Sequence, residues 1–182
     1  MSGHGPHVET HNKKVALLIA LLALVLAFSE TLGKSAQTAA LTHNIEAANL
    51  WSFFQAKTIR MTTLRTAAES LEAEGAAGEA AKAQIAKWKA TAARYESEPE
   101  TREGRKELMA RAKELEAKRD RAMAAYHHYE FASALVQIAI VLASAMIITG
   151  MTILGWGAIS LGVLGIVFSG IGFFIPTAVH LF

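Results

Sequence analysis

The stretch Val15–Gly33, VALLIALLALVLAFSETLG, decides the fold class of this chain of 182 residues. An α-helix rises 1.5 Å per residue, so about 20 apolar residues cross the ~30 Å hydrocarbon core of a bilayer. The run is just long enough, and Glu30 is its only charged residue. It therefore predicts a membrane-spanning helix over 15–33. A cleaved signal peptide behind Lys13 and Lys14 is the alternative, but the apolar run is long for one.

Two further apolar runs lie near the end of the chain. They are FASALVQIAIVLASAMIITGM, Phe131–Met151, and ILGWGAISLGVLGIVFSGIGFFI, Ile153–Ile175. Almost nothing separates them, so they predict two membrane helices joined by a tight turn. The short tail 176–182 is then expected on the side of the central segment.

Charged residues are segregated from these runs. Of the 18 Lys and Arg and the 16 Asp and Glu residues, only Glu9, Lys13, Lys14 and Glu30 lie outside 34–130. A bilayer imposes this segregation, because charged side chains are costly in hydrocarbon. The central segment keeps 16 basic and 14 acidic residues, a balance that argues against nucleic-acid binding. The chain has no cysteine, which excludes disulfides and thiol chemistry.

The central segment 34–130 reads as long helices, over about 34–74, 79–97 and 101–130. Gly75, Gly78 and Pro99 mark the two breaks. Apolar residues, with a few polar interruptions, recur at alternating spacings of four and three, the pattern of a coiled coil. Each such row of residues along one face of a helix is called a seam. The first seam is Ala36, Ala40, His43, Ala47, Leu50, Phe54, Lys57, Met61, Leu64, Ala68 and Leu71. The second is Leu108, Ala112, Leu115, Arg119, Ala122, Tyr126 and Tyr129.

The expected fold is therefore an all-α membrane protein. It has three transmembrane helices and a long, coiled-coil-like helical domain between the first and the second. The two long helices should form an antiparallel stalk, with the return path either kinked or folded into a short three-helix tip.

The segment AANLWSFFQAKTIR is the most specific part of the central domain. It contains Trp51, Phe53, Phe54 and Lys57. The three aromatic side chains cannot all face one seam. We expect an interaction or packing role for the four residues. Trp51 must be covered either by the returning helix or by a neighbouring subunit.

The third span is rich in small residues, which let helix backbones approach closely in lipid. Ala158, Gly162 and Gly170 fall on one four-residue row, and Gly165 with Ser169 forms another pair. The rows predict packing against the other two spans of the chain or between subunits.

Three ionisable residues near the span ends are candidates for ion or proton handling: Glu30, His127 and His128. The alternative is an interfacial belt of Tyr and His side chains. In the tail 1–14, His4, His7 and His11 are spaced by three and four, a pattern that suits a transition metal on a helix. Gly3, Gly5 and Pro6 oppose a helix there, so a flexible polar tail is the simpler interpretation.

No nucleophile–base arrangement, phosphate-binding loop or paired carboxylate site stands out, so we expect neither an enzyme nor a cofactor, and we identify no small-molecule substrate. At the Trp51–Lys57 motif the chain resembles the bacterial membrane-protein family of domain of unknown function 4337. The resemblance implies a membrane location and this helical layout. It implies no activity.

The functional expectation is an integral structural or interaction protein. Its partners would be the lipid bilayer and either further copies of itself or a larger membrane complex. The alternative is a small oligomeric channel or transporter subunit that uses Glu30 and the interfacial histidines. We place the protein in the bacterial inner (plasma) membrane. Lys13 and Lys14 favour a cytoplasmic amino terminus, whereas Lys118, Arg119 and Arg121 favour a cytoplasmic central domain. The central segment exceeds the loop length of about 60 residues within which such charges count well, so we expect the amino terminus to be cytoplasmic.

Overall fold

The computed structural model of the chain describes the backbone of residues 7–75 and 78–179 and the side chains from Lys13 onward. The described residues form four α-helices and no strand, so the all-α prediction is confirmed for them. In chain order the helices are α1 (His7–Ala73), α2 (Glu79–Glu96), α3 (Arg105–Thr149) and α4 (Thr152–Phe174). Three of them, α1, α3 and α4, are long and apolar enough to cross a membrane, judged by length and composition.

Helix α1 starts earlier than the sequence suggests. It begins at His7, inside the segment that we expected to be a polar tail, and runs without a break to Ala73. Gly33 lies within it and allows a close approach. A Cβ atom at residue 33 would lie 3.3 Å from the Cβ of Tyr129.

The chain forms two compact units, and α1 and α3 each contribute to both. Unit 1 contains the part of α1 up to Ala40, the part of α3 from Asp120, and α4. Its core is built from buried side chains of these three helices: Val15, Leu22, Val136, Ala139, Ala143, Met146 and Ala158. The surface around this core is also apolar, since the exposed residues include Leu17, Leu24, Phe28, Val141, Ile148, Val163 and Phe173. Soluble proteins rarely expose this much apolar surface, whereas a surface that faces lipid is apolar.

The turn between α3 and α4 is as short as expected. Gly150 adopts a positive φ of 71°, a conformation that a glycine reaches without steric cost. The amide of Gly150 also donates a hydrogen bond of 2.9 Å to the Met146 carbonyl, which ends α3.

Unit 2 spans Leu41–Arg119. Here α2 and then α3 pack along α1 in succession and run antiparallel to it. Lys89 of α2 pairs with Glu72 of α1 at 2.6 Å, and Arg119 of α3 bonds Asn44 of α1 at 3.4 Å. The return path is therefore broken between α2 and α3. Every residue of the two predicted seams is buried or half-buried.

The break between α2 and α3 is longer than the sequence predicts, because α3 begins at Arg105 and not at 101. Arg102 has a φ of 58°, which is incompatible with a right-handed helix at that residue. Gly104 is buried, and its carbonyl accepts the first helical hydrogen bond of α3, from Leu108 at 2.8 Å. A Cβ atom at residue 104 would overlap the backbone nitrogen of Glu98 and the Cα of Ser97. Only glycine fits there without moving the backbone.

Candidate functional site

The Trp51–Lys57 motif lies in unit 2 and packs within the chain. The indole Nε1 of Trp51 donates a 2.8 Å hydrogen bond to the Glu116 carboxylate of α3. The Trp51 ring also meets the Phe54 ring edge-on, with ring centroids 5.4 Å apart. The returning helix of the same chain therefore covers Trp51.

Lys57 is a buried cation, with 6% of its surface exposed. Its ammonium nitrogen lies 5.0 Å from the Tyr95 ring centroid and 5.4 Å from that of Phe53. The Glu103 carboxylate is 3.9 Å away. Burying an unpaired charge is expensive, and here two π faces and one carboxylate offset that cost. Lys57 occupies a seam position, so it fixes the seam to α2 and to the loop that follows α2.

Arg105 contacts the Trp51–Lys57 motif through Phe54, and the sequence patterns did not identify it. Its Nε donates a 2.8 Å bond to the Thr58 hydroxyl, and its Nη1 donates a 2.8 Å bond to Glu96. The guanidinium also lies 4.8 Å from the Phe54 ring centroid. One side chain thus links the middle of α1, the end of α2 and the start of α3. Its position directly after a Pro- and Gly-containing loop was the only sequence signal.

Glu107 closes the loop beside Arg105. Its carboxylate accepts a 2.6 Å hydrogen bond from the Ser97 hydroxyl and a 3.2 Å bond from the Glu98 amide. The bond from Ser97 stabilises the charged form and lowers the pKa of Glu107 below its ordinary value. The first turn of α3 is thereby tied to the end of α2.

In unit 1, the small residues of α4 pack inward on α1 and α3. Ala158, Gly162 and Gly165 are buried, and the Ser169 hydroxyl forms a 2.8 Å hydrogen bond with Ser29 of α1. Gly170 differs, because a Cβ atom there would meet nothing within 4 Å. At 100° per residue, eight residues leave Gly170 about 80° away from Gly162 around the helix, so the two do not share a face.

The candidate ion and proton residues have three different surroundings. Glu30 accepts a 3.3 Å hydrogen bond from Gln137 of α3, and His127 lies 3.9 Å from Glu130. His128 is fully buried, and its Nε2 lies 3.1 Å from the Pro176 carbonyl and 3.2 Å from that of Val179. Carbonyls only accept, so Nε2 carries the proton. His128 therefore holds the segment that follows α4.

The proposed metal ligands of the tail are not described by the structure. His4 and the side chains of His7 and His11 lie outside the described residues. Among the side chains that are described, no group of three His, Asp or Glu residues could hold a metal ion.

Comparison with known proteins identifies a family. The family model described as Domain of unknown function (DUF4337) matches residues 11–175, nearly the whole chain. No curated protein and no solved structure matches the chain. The resemblance that the Trp51–Lys57 motif carries is thus confirmed: the chain belongs to the DUF4337 family.

Proposed function

We propose that this protein is a membrane-anchored interaction protein that self-associates and performs no catalysis. Unit 1 would cross the bilayer, which accounts for its apolar exterior and for the hydrogen bond between Ser29 and Ser169 inside it. Unit 2 would carry the surface on which copies meet. The observation that supports pairing is an exposed aliphatic stripe on α1.

The stripe lies on the side of α1 that the chain leaves open. Leu41, Ile45 and Ile59 are each more than half exposed. At 100° per residue they fall, together with Ala48 and Ser52, in a sector about 60° wide. The same sector continues through Thr63, Thr66 and Ser70, and it contains no charged residue from Leu41 to Ser70. Isolated exposed aliphatics are common, whereas an uncharged row on a helix this rich in charge is not.

A second copy of the chain is the occupant that this charge pattern favours. Copies anchored at the same depth in one membrane meet in register, so a two-fold pairing sets each residue against itself. A charge in such a seam would then face a like charge, which is destabilising. The stripe has none, since Arg60 lies about 60° and Glu46 about 100° beyond its edge around the helix. An uncharged stripe also offers little to attract a strongly acidic or basic partner.

Cysteine cross-linking tests the pairing directly, because the chain has no cysteine of its own. Ser52→Cys, in the middle of the stripe, is expected to form disulfide-linked dimers in membranes. The matched control is Ala117→Cys on the exposed side of α3, which should stay monomeric. Adding Ile59→Lys to Ser52→Cys should abolish the dimer, because each copy then brings a charge into the seam. Equal cross-linking of Ser52→Cys and Ala117→Cys would refute pairing through the stripe.

A further inference from the structure

A groove in unit 1 between α1 and α3 has the size and lining of a ligand site. Its volume is about 450 Å³, within the range of small-molecule sites in proteins. The charged side chains that line it are two carboxylates, Glu30 and Glu130, and one ammonium, Lys34. The groove therefore favours a ligand that carries a positive group and also has a smaller negative part.

Two buried polar side chains also line the groove. Tyr129 is 4% exposed and Ser133 is 8% exposed. The structure records no hydrogen bond from either hydroxyl to another described residue. The hydroxyl oxygens themselves are not among the buried unpaired atoms, so they are accessible from the groove. These two thus offer a donor and an acceptor to whatever occupies the groove.

The two carboxylates are already positioned by neighbours. Glu30 accepts a bond from Gln137 at 3.3 Å, and Glu130 accepts one from the Tyr126 hydroxyl at 3.3 Å. Each carboxylate has about four lone-pair sites, so both retain acceptors for a ligand. A primary ammonium, with three N–H donors, is the cation that can use them.

The position of the groove along the helices further restricts the class of ligand. Glu30 lies near the end of the apolar run 15–33, and Glu130 directly precedes the run 131–151. If unit 1 crosses a bilayer, as the proposed function holds, the groove lies at the level of the lipid headgroups. We propose that it binds the headgroup of a zwitterionic phospholipid with a primary ammonium, the ammonium on the carboxylates and the phosphate on Lys34.

Native mass spectrometry of the full chain in mild detergent tests this proposal with lipids of identical acyl chains. Phosphatidylethanolamine is expected to bind about tenfold more tightly than phosphatidylcholine or phosphatidylglycerol, since one charge-assisted hydrogen bond corresponds to roughly that factor. Phosphatidylcholine keeps the positive charge without N–H donors, and phosphatidylglycerol has no cation. Phosphoethanolamine without acyl chains should bind at least tenfold more weakly than the lipid.

The matched variants are Glu30→Gln with Glu130→Gln, compared with Glu114→Gln, which changes a carboxylate outside the groove. The pair should remove the preference for phosphatidylethanolamine, and Glu114→Gln should leave it intact. Both groove carboxylates are exposed, so circular dichroism should show an unchanged fold.

Equal binding of the three lipids, or tightest binding of phosphatidylcholine or phosphatidylglycerol, would overturn the proposal. So would equally tight binding of phosphoethanolamine, which would indicate a site for a soluble amine. Vesicle flotation separates this failure from that of the proposed function. A chain that does not float with vesicles has no membrane anchor, whereas one that floats without headgroup preference lacks only this site.

Discussion

Replacing Gly165 by alanine tests whether α4 is held by close packing against α3. A Cβ atom at residue 165 would lie 2.5 Å from the Val136 Cγ2 and 3.2 Å from the Ala132 carbonyl oxygen. Carbon atoms in contact are normally about 3.5–4.0 Å apart, so the methyl overlaps Val136 by about 1 Å. A valine side chain in a helix has one strongly preferred rotamer, and the carbonyl belongs to the backbone. Neither group can turn away, so the helices must separate.

The expected loss in the free energy of unfolding is about 1–3 kcal/mol, the usual cost of overpacking a well-packed core. At this chain length 1 kcal/mol corresponds to roughly 2–4 °C in Tm. Gly165→Ala should therefore lower Tm by roughly 2–12 °C. Gly170→Ala is the matched control, because it makes the same chemical change on the same helix where a Cβ atom meets nothing within 4 Å. Its Tm should equal or slightly exceed the wild-type value, because alanine is about 0.5–1 kcal/mol more favourable than glycine inside a helix.

Thermal unfolding in mild detergent, followed by circular dichroism, measures both variants side by side. The double variant Gly165→Ala with Val136→Ala should regain part of the loss, because it removes the methyl that the new Cβ overlaps. A double-mutant cycle then reports a coupling between the two residues. The reasoning fails if Gly165→Ala is as stable as Gly170→Ala, or if the Val136 change brings no recovery.

Three further predictions concern unit 2. Trp51→Phe should lower the free energy of unfolding by roughly 1–3 kcal/mol, because it removes the hydrogen bond to the Glu116 carboxylate, whereas Trp88→Phe should cost less in the same urea titration. Arg105→Lys should cost about 1–2 kcal/mol, since a lysine cannot bond Thr58 and Glu96 together; stability equal to wild type would contradict the three-helix link. The pKa of Glu107 is lowered in the folded state, so its contribution is present above the unfolded pKa and disappears as pH falls through the folded one. The stability difference between wild type and Glu107→Ala should therefore shrink as pH falls below about 4.3, and a difference independent of pH would contradict it.

Local patterns in the sequence anticipated much of the helical framework. The seam positions Ala47, Met61 and Ala68 are buried because a helix presents residues spaced by three and four on one face. Apolar runs likewise mark α4 and the apolar parts of α1 and α3, since length and hydropathy are local properties. The Trp51–Lys57 motif was singled out because an aromatic cluster beside a seam needs a covering surface.

Contacts between distant segments could not be predicted from local sequence patterns. Arg105 meets Thr58 and Phe54, residues more than 40 positions earlier, and that meeting depends on how the loop after α2 ends. Gly104 is required by the backbone at Ser97 and Glu98, which no spacing rule identifies. Gly170 was grouped with Gly162 on a strict four-residue row, but 3.6 residues per turn carry it off that face.

The polar residues of unit 2 help to fix the register of α1 against α2 and α3. Alanine fills many seam positions, including Ala47, Ala68 and Ala112, and its small side chain makes few contacts that differ between neighbouring registers. The alanine contacts therefore stabilise the helices but distinguish only weakly between neighbouring registers. Lys57 does distinguish them, because a slip would take its buried ammonium away from Glu103 and the Tyr95 ring. An uncompensated buried charge is strongly destabilising. We infer that the Trp51–Lys57 motif sets the register of α1 against the returning helices, and with it the face that stays open to a second copy.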